Sequence, residues 1–133
     1  MEAKELMIGD WCAYGVNCKG RVTALTEHLI TLSVDGNEIN GLYMLMPDMV
    51  RPIPLTEEIL VKNGFVGVEL TDSYELNTDY YEIEVWNYSD GLWVVNVHWI
   101  EFSSTPESKA TVSYVHQLQH LLRLCGIEKE ISI

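Results

Sequence analysis

The strongest constraint on how this chain can fold is a long hairpin pattern between Tyr81 and Phe102. Tyr81, Ile83 and Val85 alternate with Glu82, Glu84 and Trp86, the period-two signature of a half-buried strand. Asn87-Tyr88-Ser89-Asp90-Gly91 turns the chain, and Leu92 to Phe102 returns as a second strand. On the return, Trp93, Val95, Val97 and Trp99 share one face, while Leu92, Val94, Asn96, His98 and Ile100 share the other. Further on, Val115, Leu118, Leu121, Leu122 and Cys125 form an apolar stripe at helical spacing, predicting a helix from about Thr111 to Cys125. Its other side, His116, Gln117, Gln119, His120 and Arg123, is expected to be solvated. Gly126 ends the helix, and Lys129 to Ile133 is read as a short terminal strand. With Phe65 to Leu70 as a further strand, the second half predicts an antiparallel sheet with one face covered by a C-terminal helix.

The first half is broken by turns into short strands: Met7 to Tyr14, Arg21 to Thr26, and Leu29 to Val34. In the second of these, Val22, Ala24 and Thr26 are expected to share a face. Asp35-Gly36-Asn37 supplies hairpin chemistry. Pro47, Pro52 and Pro54 forbid a central strand or a helix in the stretch that follows. Thr56 is a good N-cap, Glu57 and Glu58 suit the positive end of a helix dipole, and Asn63-Gly64 is a stop. About two turns of helix result.

Gly9-Asp10-Trp11, Gly20-Arg21-Val22 and the Leu29 to Val34 strand together resemble a small SH3-like barrel of the kind found in KOW and Tudor modules. The expected fold class is therefore α+β in three parts. An SH3-like β-meander or barrel spans 1–54, a connector helix 55–64, and an antiparallel sheet backed by one helix 65–133. Three longer stretches carry a second resemblance: Glu5 to Trp11, Pro52 to Phe65, and Tyr114 to His120. Their order and spacing are similar to those of a family of small proteins common in gut Bacteroidales genomes and their prophages. That resemblance implies a bacterial cytoplasm and a mobile-element origin. It supplies no activity, cofactor or catalytic residue to carry over.

Charge narrows the function classes. Twenty acidic residues face eight Lys and Arg, a net charge of −12. Binding the nucleic-acid backbone needs Lys and Arg gathered on one surface, and the only close basic pair is Lys19 and Arg21. Direct nucleic-acid binding and anionic membranes are thus disfavoured. No apolar run approaches the roughly 18 residues that span a bilayer. Met1 to Glu5 lacks the basic start and apolar stretch of a signal peptide, so a cytoplasmic location is expected. Cys12, Cys18 and Cys125 have no framework or zinc-knuckle spacing and are read as buried free thiols.

Three constellations remain. His116 and His120, at i and i+4 on a helix, can point at one metal ion. Gln117 stands where a hydrolytic zinc site needs a general base, and an amide cannot take that proton. A metal-dependent enzyme centred on this pair is the catalytic alternative. The second is electrostatic: between Lys62 and Lys109 there is no Lys or Arg, yet there are nine acids, from Glu69 to Glu107. Such a surface is either a solubilising coat or a docking site for a basic protein, carboxylates standing in for DNA phosphates as in antirestriction-type mimics. A calcium site at Asp72 to Asp79 is weaker, since the EF-hand pattern is absent. The third is the crowd of Trp and Tyr around the hairpin, which suits either core packing or a protein interface. The expected function is a non-catalytic protein-interaction module. Its binding residues are Glu82, Glu84 and Trp86 on one strand face, flanked by Asp79 and Asp90. The expected partner is a protein, with self-association to a homodimer through a sheet edge as another reading. No cofactor is expected.

Overall fold

The computed structural model describes residues 1–34, 42–100 and 108–133. It is a mixed α+β chain with two five-stranded sheets, every pairing antiparallel, and two α-helices. Two compact units are present: Met1–Ile53 with Tyr114–His116, and Pro54–Ser113 with Gln117–Ile133.

In the first unit, β1 (Trp11–Tyr14), β2 (Cys18–Leu25), β3 (Ile30–Ser33) and β4 (Leu42–Leu45) form a meander. A 3-10 turn, Pro47–Met49, leads into β5 (Val50–Pro52), which returns beside β1. The strand order is β4-β3-β2-β1-β5, and among the described residues no pairing joins the two edges into a closed barrel. The stretch rich in proline does carry a strand, but β5 is an edge, where Pro52 leaves no central ladder incomplete. The expected hairpin turn at Asp35-Gly36-Asn37 lies outside the described residues.

Two sequence expectations change here. The first strand starts at Trp11 and not at Met7, because residues 7–10 close a turn around Asp10. The buried Asp10 carboxylate accepts the Met7 N–H at 2.7 Å, and the Asp10 carbonyl accepts the Val22 N–H at 2.8 Å. In β2, the register shifts between Val22 and Ala24. This bulge turns Ala24 out to solvent and brings Leu25 to the side of Val22, breaking the simple alternation. The resulting core is Leu6, Cys12, Val22, Ile30, Leu32 and Val50, with Tyr14, Leu25 and Leu45 packed against it. Gly20 sits in this ladder for a steric reason, since a Cβ there would lie 3.0 Å from the Ser33 carbonyl oxygen.

The second unit opens with α1 (Glu57–Lys62). Thr56 caps it, its hydroxyl accepting the Ile59 N–H at 3.3 Å, as the sequence predicts. Asn63 closes it and also holds the C-terminal residues. Its side-chain amide donates to the Ile59 and Ser132 carbonyls, both at 2.7 Å, and accepts the Ser132 N–H at 2.8 Å. The expected terminal strand at Lys129–Ile133 does not form. A side chain already satisfies the backbone of Ser132, and Ile127 and Ile131 are buried as anchors.

The sheet of this unit runs β10-β9-β8-β7-β6, with β6 (Val66–Val68), β7 (Ser73–Asn77), β8 (Tyr81–Ser89), β9 (Leu92–Trp99) and β10 (Ser108–Val112). The β8–β9 hairpin is the one its alternation predicts, from Tyr81 opposite Trp99 to Ser89 opposite Leu92, with a bulge between Asn87 and Ser89. Residues 108–112 are a strand, so the last helix does not start at Thr111 as expected. The edge of β9 takes up their backbone groups, and α2 (Val115–Leu124) begins only afterwards. Ile83, Val85, Val95 and Val97 are buried on the inner face, as are Leu118 and Leu122 of α2. Two indoles tie this layer together. Trp93 donates to the Leu55 carbonyl at 3.0 Å, and Trp99 donates to the Cys125 carbonyl at 3.1 Å, so the end of α2 lies over β9. Among the described residues, no helix is long and apolar enough to cross a membrane.

Candidate functional site on the outer face of the second sheet

Burial on β8 follows the alternation. Ile83 and Val85 are fully inside, so Glu82, Glu84 and Trp86 stand on the opposite face. Register then decides their neighbours. One row across the sheet is Asn77, Glu82 and His98, and the next is Glu75, Glu84, Asn96 and Lys109. The third is Ser73, Trp86, Val94 and Thr111. The first two rows line a hollow of about 330 Å³ whose side chains are Glu75, Asn77, Glu82, Glu84, Asn96 and His98. The third row borders it with the half-buried Trp86 and Val94.

Directly opposed residues in an antiparallel pair lie about 4.5–5.5 Å apart between their Cβ atoms, so like charges there repel. Glu75 opposite Glu84 is such a pair. The Asn77 amide donates to the Glu75 carboxylate at 3.4 Å. In the first unit Lys4 pairs with Glu2 at 2.6 Å. Among the described residues, Glu82 and Glu84 have no Lys or Arg directly opposite them in register. The nearest in register is Lys109 on the edge strand, one row position beyond Asn96. The hollow is thus lined by three carboxylates, two side-chain amides and one imidazole.

The other expected binding residues are not gathered here. Asp79 lies exposed in the connection between β7 and β8, next to the Asn77 row, while Asp90 lies in the turn at the far end of β8. At about 3.3 Å per residue, Glu82 and Asp90 are some 26 Å apart. Tyr80 and Tyr88 are exposed at 63% and 72%, whereas Trp93 is buried, so the aromatic crowd divides between surface and core. Glu75 and Asn77 were not foreseen, because Ser73–Asn77 sits among acids and turn residues. Their signal is nonetheless present: Tyr74 and Leu76 alternate with Ser73, Glu75 and Asn77.

The histidine pair has a different setting. His116 is only 5% exposed and its ring stacks on Tyr114, centroids 5.9 Å apart and planes 11° from parallel. Gln119 is equally buried, while Gln117 and His120 are half-buried and Arg123 is exposed, so only part of the polar side of α2 is the solvated face its sequence suggests. Among the described residues, no group of three or more His, Cys, Asp or Glu side chains is arranged to hold a metal ion. His116 and His120 therefore gain no third ligand there. All three cysteines are free. Cys12 is buried and Cys125 half-buried, but Cys18 is exposed, against expectation. A larger hollow, about 570 Å³, lies in the first unit and includes Glu2, Lys4, Leu25 and Pro47. Glu2 and Lys4 neutralise each other at its rim.

Comparison with family models, with curated proteins and with solved structures yields no match to this chain.

Proposed function

We propose that this chain is a non-catalytic protein-interaction module that docks a basic protein segment on the outer face of its second sheet. The observation that carries the reading is the cross-strand set Glu75, Glu82 and Glu84, three carboxylates in adjacent rows with Trp86 beside them. Keeping Glu75 opposite Glu84 costs stability in the free protein, and an incoming cation relieves that repulsion. An arginine fits best. Its planar guanidinium can bridge two carboxylates, and its stem can lie along Trp86 and Val94. Aromatic anchors of this kind concentrate binding energy in interfaces.

The first unit is proposed to be of SH3-like type. Support comes from its strand order, with the fifth strand returning beside the first, and from the 3-10 turn leading into that strand.

The test is titration of the purified chain with an arginine-rich peptide, followed by Trp fluorescence and calorimetry. Binding that weakens with salt, and is lost when Glu82 and Glu84 are both changed to Lys, is the expected result. Peptide binding unchanged by that reversal removes these residues from the account.

A further inference from the structure

Among the described residues that line the acidic hollow, His98 is the side chain able to turn from neutral to positive near neutral pH. It lies half-buried on β9, directly opposite Glu82 of β8. Side chains so opposed have Cβ atoms about 4.5–5.5 Å apart. From β8, Glu84 is its diagonal neighbour. From β7, Asn77 continues its row and Glu75 stands in the next, and the exposed Asp79 follows in the β7–β8 connection. On its own strand Asn96 is two residues away on the same face, and opposite Asn96 on β10 stands the exposed Lys109. Position 107, the next along that ladder, lies outside the described residues. The other histidines are elsewhere: His28 in the β2–β3 connection, His116 and His120 on α2, and none of them lines the hollow.

We propose that His98 is a pH-sensitive gate on this hollow: once protonated, it sets a positive charge against Glu82 and weakens docking of a basic segment. The inference rests on the docking reading above and adds its regulation. At the alkaline end of the imidazole range, three carboxylates and a neutral ring meet the incoming guanidinium. As pH falls the ring gains a proton, competes for Glu82 and repels the guanidinium. Arginine keeps its own charge throughout. Carboxylates ordinarily titrate lower, so the window between about pH 5.5 and about pH 8 belongs to the imidazole. Two positive charges about 5 Å apart, at a half-exposed face with an effective dielectric of about 50–80, lower affinity about four- to tenfold. Reciprocity then requires a bound peptide to lower the midpoint of His98 titration by the logarithm of that ratio, about 0.6–1 pH unit.

The test is calorimetric titration with an arginine-rich peptide at about pH 8 and about pH 5.5, at constant ionic strength, for the wild-type chain and His98→Gln. The expected result is a wild-type affinity about four- to tenfold weaker at the lower pH and a variant that loses this dependence. NMR of the His98 ring, with and without saturating peptide, reads the shift in midpoint on the unaltered chain. His98→Asn is the second variant should the first fail to fold. Equal wild-type affinity at both pH values, a variant that keeps the full dependence, or a midpoint unmoved by peptide overturns the gate and leaves the docking in place. Absence of binding at both pH values overturns the docking itself, and the gate with it.

Discussion

Replacing Glu84 by Gln tests the electrostatic reading of the outer face directly. Glu84 faces Glu75 across the β7–β8 ladder and has Glu82 two residues away on the same face. Two charges about 5 Å apart repel by roughly 0.8–3 kcal/mol, for an effective dielectric between about 80 and 20. Both side chains are partly open to water, which favours the low end, and like charges directly opposed on strands cost about 0.2–1 kcal/mol. Gln keeps the shape of Glu and removes the charge. The variant should therefore be more stable by about 0.5 kcal/mol, with a ceiling near 1 kcal/mol. Urea unfolding followed by Trp fluorescence reads this as a higher midpoint at unchanged slope. In about 1 M salt the Debye length falls to about 3 Å, and most of the gain should vanish. The same change should weaken arginine-peptide binding, so stability and binding move in opposite directions. A destabilised variant, or a gain equally large at low and high salt, would refute the argument.

Two further predictions concern the core. Asn63→Ala removes three hydrogen bonds that close α1 and hold Ser132. It should cost about 2–4 kcal/mol and speed hydrogen exchange over residues 127–133. Burial, reinforced by the Asp10 carboxylate, pushes the Cys12 thiol up from 9.0 to about 12. The folded chain therefore keeps a proton that the unfolded chain releases. The corresponding stability is complete below pH 9.0 and is lost as pH rises towards about 12, by up to about 1.4 kcal/mol per pH unit. Tyr14 and Tyr74, also shifted up by burial, steepen the same decline. Cys12→Ala should flatten the alkaline slope of unfolding free energy, and a thiol reagent at neutral pH should label Cys18 while sparing Cys12 in the folded chain.

The sites that sequence reasoning reached and those it missed differ in one respect. Glu82, Glu84 and Trp86 lie on a long strand whose alternation repeats enough times to be unmistakable. Glu75 and Asn77 lie on a five-residue strand between turns, where two alternating pairs weigh little against the surrounding turn residues. His116 and Gln119 show the opposite failure. A helical wheel separates polar from apolar positions, but it carries no information about what covers the polar side, and both are buried.

By itself the sequence determined the hairpin, the cap of α1 at Thr56, and which residues of β8 and β9 turn outward. These are local consequences of backbone geometry: side-chain direction reverses at each strand residue, whatever that strand pairs with. Only the tertiary structure decided that 108–112 is a strand and that residues 129–133 are not. Both segments have backbone groups open to more than one partner, and the edge of β9 and the side chain of Asn63 made the choice. The acidic hollow belongs to the same class. Its members come from three strands, and a slip of one residue in either ladder would turn one strand's members away from the rest, so the site exists only through register.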